Sequence, residues 1–170
     1  MSSLSPKNPP EKSALMTNWQ PFFCRDPGRL PEPARGKLIS EFIRADRIML
    51  ILITFYWLVL ATLGGQNNGH YLFGYLGGGL AVLIGLIGYH YFKGSYINRI
   101  LIGCVSCLVE IVYIQQTLGA PTAHLVYFMS LGFLLVYRDG FAAVSSLTLV
   151  MTHHLTATYC ESVGIEAFGM

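Results

Sequence analysis

The sequence predicts an all-α fold, a polytopic membrane helix bundle of about five transmembrane helices. Three observations predict it. The 170-residue chain is 53% hydrophobic, with a mean hydropathy of +0.50. Charged residues make up 12% of it, against about 25% in soluble domains. The apolar residues gather into long runs separated by short, turn-rich links. An ordinary soluble globule and a disordered chain are both excluded by this composition. The formal charge of +2, with no compact basic patch, argues against a nucleic-acid partner.

Residues 1–37 are polar and rich in proline, including Pro9, Pro10, Pro31 and Pro33. They are expected to form an irregular arm. No apolar run follows Met1 closely, so a cleavable signal peptide is not expected. Residues 38–170 are expected to form the bundle. It begins with a short amphipathic lead-in helix at the membrane surface over 37–46, where Leu38, Phe42 and Ile43 share a face. Five apolar segments follow, at about 48–63, 71–92, 97–116, 122–137 and 141–159. The links contain Gly64-Gly65, Lys93-Gly94-Ser95, Gly119-Ala120-Pro121 and Arg138-Asp139-Gly140, residues that favour turns. Links this short join antiparallel neighbours, which implies an up-down bundle.

Charge placement orients the bundle. Eight of the eleven Lys and Arg precede the first segment. Lys93 and Arg99 lie between the second and third, and Arg138 between the fourth and fifth. All fall on one side, which the excess of positive charge in cytoplasmic loops makes the inside. The N-terminus is then cytoplasmic, and with five spans the C-terminus, with Glu161 and Glu166, is outside. In the second segment Gly74 and Gly78 form a small-xxx-small pair. Such a pair lets helix backbones approach closely, within the bundle or against another protein. Cys104 and Cys107 form a C-x-x-C inside an apolar segment. They read as packing residues or as a redox or metal pair. A disulfide framework is not expected.

Polar groups inside a bilayer are costly and need a reason. Glu110 lies about 20 Å along the third segment from its inner end, at 1.5 Å per residue. His153 and His154 lie at about the same depth in the fifth, and His124 sits near the outer end of the fourth. These four residues are the candidates for one site in the outer half of the bundle. Neighbours on a helix point about 100° apart, so one histidine of the pair faces the site and the other a neighbouring helix. Three readings are open: a metal or haem site, a small-ligand pocket, or polar residues satisfying one another. A haem would take His124 with His153 or His154, and copper or zinc would take His with Glu110. Tyr137-Arg138-Asp139 reads as an interfacial anchor with a local ion pair, or as a signalling element. His90 belongs to an interfacial aromatic belt beside Tyr89 and Tyr91, and His70 lies in an outer loop. No nucleophile elbow, phosphate loop or zinc-protease motif is present, so no enzymatic activity is expected.

The run from Arg44-Ala45-Asp46-Arg47-Ile48-Met49-Leu50 to Phe168 resembles the N-terminal membrane sensor region of bacterial methyl-accepting chemotaxis proteins. Related regions precede diguanylate cyclase domains. The landmarks are Ala45-Asp46-Arg47, Gly94 to Arg99, Ile114-Gln115-Gln116, His124 with Phe128, Tyr137-Arg138-Asp139 and His153-His154, in matching order. Three departures stand out. Thr122 and Val126 replace a Glu and a second His around His124. Gly140 follows the Tyr-Arg-Asp triplet where Trp is usual. The family adds a sixth helix and a cytoplasmic output domain. The resemblance implies a sensory-type module of the bacterial inner membrane, which binds a small ligand or metal and acts through a protein partner. The contact surface is expected to be the N-terminal arm or the Gly-rich helix. The alternatives are a non-catalytic accessory subunit of a respiratory or photosynthetic complex, and a b-type haem protein.

Overall fold

The structure, a computed structural model, describes residues 32–164. Among them are five α-helices and no strand. Helix α1 spans Glu32–Asn68, α2 Tyr71–Phe92, α3 Tyr96–Gln116, α4 Val126–Leu134 and α5 Gly140–Ser162. The 3₁₀ turns Pro121–Leu125 and Leu135–Tyr137 bracket α4. Three helices are long and apolar enough to cross a membrane: α1 from Arg35, α2 and α3. At 1.5 Å per residue, α2 and α3 are each about 32 Å long, close to the bilayer's hydrocarbon thickness of about 30 Å. Helix α4 with its two turns makes a shorter apolar stretch, Pro121–Tyr137. Helix α5 has the length of a span, but Ser145, Ser146, Thr148, Thr152, His153 and His154 dilute its apolar character.

The distribution of side chains is inverted relative to a soluble protein. Leu72, Leu76 and Leu80 on α2 are 73%, 64% and 61% exposed, and Phe55 and Leu155 also face outward. Asp46, Asn98, Arg99, Glu110 and Gln116 are buried. Apolar surroundings suit such an exterior, and buried polar groups then need partners inside the bundle. The exposed hydroxyls on α5 fit the same rule. Thr148, Thr152 and Thr156 each donate to the carbonyl four residues back, at 2.8 Å. Each of these three hydroxyls is thereby paired within the helix.

Helix α3 is the centre and packs against each of the other four helices. Its start is set by Ser95, whose hydroxyl accepts from the Asn98 amide at 3.2 Å. Asp139 caps α5 in the same way, accepting from the Phe141 amide at 3.0 Å. The buried stripe of α1 comprises Leu38, Phe42, Ala45, Met49, Ile53 and Leu60, spaced for one helical face. It meets Val82 of α2, Ile102, Val105 and Val109 of α3, and Leu134 of α4.

Several boundaries differ from expectation. The lead-in helix and first span are one helix, because the buried stripe continues through Ala45, Met49 and Ile53 with no breaker between. That helix starts at Glu32, so the arm expected through residue 37 ends earlier; residues 1–31 lie outside the described region. Gly64 and Gly65, expected in a link, stay helical. The Gln116 side chain lies against Gly64, and the Tyr71 ring against Gly65. Tertiary packing there overrides the weak helix propensity of glycine. The turn into α2 comes at Gly69, whose φ is +75°. The fourth segment is a short α-helix between two 3₁₀ turns. Glu166 lies outside the described residues.

Candidate functional site

Buried polar groups gather at the two ends of the bundle. The end expected to face the cytoplasm is built around Asp46 of α1, fully buried. Its Oδ2 accepts from the Gly94 amide at 2.6 Å and its Oδ1 from the Tyr137 hydroxyl at 2.9 Å. Asn98 turns toward the same carboxylate. Gly94 has φ +76°, a left-handed conformation that glycine adopts without strain. That conformation brings its amide to Asp46. Beside this set, Arg99 Nε lies 2.9 Å from Asp139 Oδ2, with both side chains 1% exposed. The guanidinium also sits over the Phe42 ring, 3.9 Å from its centroid. This cluster ties α1, the α2–α3 turn, α3, the turn after α4 and the start of α5.

The local ion pair expected within Tyr137-Arg138-Asp139 is absent. Asp139 pairs with Arg99 instead, and Arg138 is exposed with φ +49°. The left-handed turn at Arg138 sends the flanking Tyr137 and Asp139 inward. In sequence Arg99 reads as a loop cation and Asp46 as part of a family landmark, without the partners the fold gives them. The signal for both is a charge set at helical spacing within an apolar face.

The other end holds the predicted histidines. His124, in the Pro121–Leu125 turn, and His154 of α5 have near-parallel rings with centroids 5.2 Å apart. Tyr127 of α4 meets both edge-on, at 6.4 Å from His124 and 5.9 Å from His154. His124 Nδ1 donates to the Ala120 carbonyl at 3.3 Å. His153 points elsewhere: its Nε2 accepts from the Gln115 amide of α3 at 3.4 Å. The adjacent histidines thus part between two neighbouring helices. Glu110 does not join the rings directly. It is fully buried, with Ser130 facing it, and neither carboxyl oxygen has a well-formed hydrogen bond. Tyr127, three residues after His124 and without a polar pattern to mark it in sequence, packs its ring against both imidazoles. Its buried hydroxyl has no hydrogen-bond partner and lies within electrostatic reach of Glu110 and Cys107.

The metal and haem readings fit this geometry poorly. Among the described residues, no three His, Cys, Asp or Glu stand close enough to hold one ion. A porphyrin iron between two imidazoles needs ring centroids about 6 Å apart, allowing two metal–nitrogen bonds of about 2 Å. His124 and His154 are closer than that. Cys104 and Cys107 are free thiols, and Cys107 packs with Ile114, Ala123 and Tyr127.

The Gly-rich face of α2 is filled from within the chain. The Gln116 side chain occupies the space where Gly74 would carry a Cβ, and the Trp57 indole does so at Gly78. Trp57 Nε1 also donates to the Gly74 carbonyl at 3.2 Å. Gln116 Nε2 donates to the Ala61 carbonyl at 2.8 Å and the His70 carbonyl at 3.2 Å. Gly74 and Gly78 therefore serve packing of α1 and α3 onto α2. His90 rests edge-on against Tyr91, and both are exposed.

No family model matches the chain, and no curated protein or solved structure does.

Proposed function

We propose that this protein is a non-catalytic sensory-type module of the bacterial inner membrane. In this reading it crosses the membrane five times, with its N-terminus in the cytoplasm. Its ligand site is the outer half of the bundle, and it acts through a protein partner that meets the N-terminal arm. The observation that carries the reading is the convergence of His124, His154 and Tyr127 above buried Glu110, at the opposite end from the Asp46 and Arg99–Asp139 cluster. A polar set at each end of helices α3 and α5 supplies a site to be biased and a separate joint to report it. The message is a population shift between two helix arrangements.

A second reading has its own support. His124 and His153 both find partners inside the chain, as purely structural residues would. An accessory subunit of a respiratory or photosynthetic complex would use them that way. Isolation of native complexes in mild detergent separates the two. A chemotaxis or cyclic-dinucleotide signalling protein held in fixed ratio supports the sensory module. A stoichiometric place in an energy-converting complex overturns it.

A further inference from the structure

Glu110 is the group in this bundle whose surroundings are least explained by packing. It is 0% exposed, and neither carboxyl oxygen has a well-formed hydrogen bond, Ser130 being the hydroxyl that faces it. Among the described residues no Lys or Arg pairs with it: buried Arg99 is engaged with Asp139, and the other Lys and Arg are exposed. The groups around it are neutral or weakly acidic. Tyr56 faces it from α1, Tyr127 and Ser130 from the α4 stretch, and Cys107 and Tyr113 flank it on α3. Tyr127, which is within electrostatic reach of Glu110, packs its ring against the imidazoles of His124 and His154, with His153 beside them.

A carboxylate removed from water without a counter-charge or donor is strongly disfavoured, and such a group neutralises itself by holding a proton. Chains of intramembrane carboxyl and imidazole groups mark proton relays in pumps and transporters. The ligand that needs no cavity is a proton. His124 and His154 are partly exposed, so their rings can exchange protons with the surroundings of the bundle.

We propose that Glu110 is a proton-binding site, loaded and emptied through Tyr127 and the stacked His124–His154 pair. On release, the Glu110 O–H bond breaks and its electron pair stays on the carboxylate. At rest the Tyr127 hydroxyl has no hydrogen bond, so the transfer includes a shift of this side chain into reach of both groups; its oxygen then takes the Glu110 proton as its own hydroxyl proton passes to the lone pair of an imidazole nitrogen. The imidazolium then returns it to water, and loading runs in reverse. No electron is transferred. The inference rests on the reading of the outer half as the ligand site and names the proton as the ligand.

Infrared spectroscopy of the full chain in lipid vesicles tests it. At neutral pH the wild type is expected to show a protonated-carboxyl carbonyl band that Glu110→Gln removes. Transfer to heavy water shifts this band. In Tyr127→Phe, and in the double variant His124→Ala with His154→Ala, the shift is expected to slow at least tenfold. An unchanged band in Glu110→Gln overturns the site, and an unchanged exchange rate in both relay variants overturns the path. Dicyclohexylcarbodiimide, which adds to protonated carboxyls in apolar surroundings, keeps the test open should Glu110→Gln fail to fold. The wild-type peptide carrying Glu110 is expected to be labelled at neutral pH, less so as pH rises. Absence of label at every pH overturns the proposal. None of these readouts depends on a partner, so failure of the sensory reading registers separately, in the native-complex isolation.

Discussion

Arg99 and Asp139 illustrate what a buried charge demands of its neighbours. Each is almost completely removed from solvent, and each has the other as its ionic partner. Removing one member leaves an uncompensated charge, which costs about 3–5 kcal/mol. Arg99→Met and Asp139→Leu are each expected to lower the thermal unfolding midpoint in mild detergent. Asp139→Leu loses the α5 cap as well, so its fall is the larger. The two together are expected to destabilise less than the sum of the single changes, since the pair is lost only once. Strict additivity would show that the charges are not coupled. Tyr137 acts at the same joint through one hydroxyl on Asp46. Hydrogen bonds to charged groups contribute about 1.5–3 kcal/mol, so Tyr137→Phe is expected to cost an amount in that range.

At the scale of elements, close approach governs the design. Helix α3 packs against α5 at Gly103, where an added Cβ would strike the Ala142 backbone carbonyl. A flexible side chain could step aside, but a carbonyl in a helix cannot move without moving the helix. Gly103→Ala is therefore expected to destabilise the bundle by about 1–3 kcal/mol through overpacking. Gly132→Ala, on the open face of α4 with nothing near its Cβ position, serves as the neutral control. Equal unfolding midpoints for the two variants would refute close packing at Gly103. Trp57 and Gln116 supply the complementary lesson: a glycine stripe that looks like a docking surface is occupied by large side chains of the same chain.

At the scale of the whole molecule, the arrangement of ends sets the topology. Gly94, Arg99, Asp139 and Asp46 share one end, while Asn68, Gln116, His124 and His153 share the other. Single cysteines placed in a background with the native cysteines replaced report which end is outside. With a membrane-impermeant maleimide on intact cells, Gln66→Cys is expected to be labelled and Lys93→Cys is not. Labelling with the opposite pattern would reverse the orientation drawn from the Lys and Arg distribution. Labelling of both would show that the two ends are not separated by a membrane.

Much of this fold is legible in the chain because a membrane reads composition directly. Long apolar runs announce α2, which has no Asp, Glu, Lys or Arg, and α3, which has two, and Gly94 and Asp139 mark turns by their own local chemistry. The boundaries of α1 were less legible. Gly64 and Gly65 favour a turn by propensity, and only Gln116 and Tyr71 packed against them keep the helix going. The candidate site divides in the same way. Glu110, His124 and His154 stand out as polar residues in apolar segments, so the sequence by itself determined which polar side chains the bundle has to accommodate. Tertiary structure alone decided that the Tyr127 ring packs against both His124 and His154, that Arg99 pairs with Asp139 rather than Arg138 doing so, and that Gly74 and Gly78 face inward. The physical reason is that local pattern encodes which residues leave water, whereas partnership between residues far apart in the chain depends on how helix faces turn toward one another.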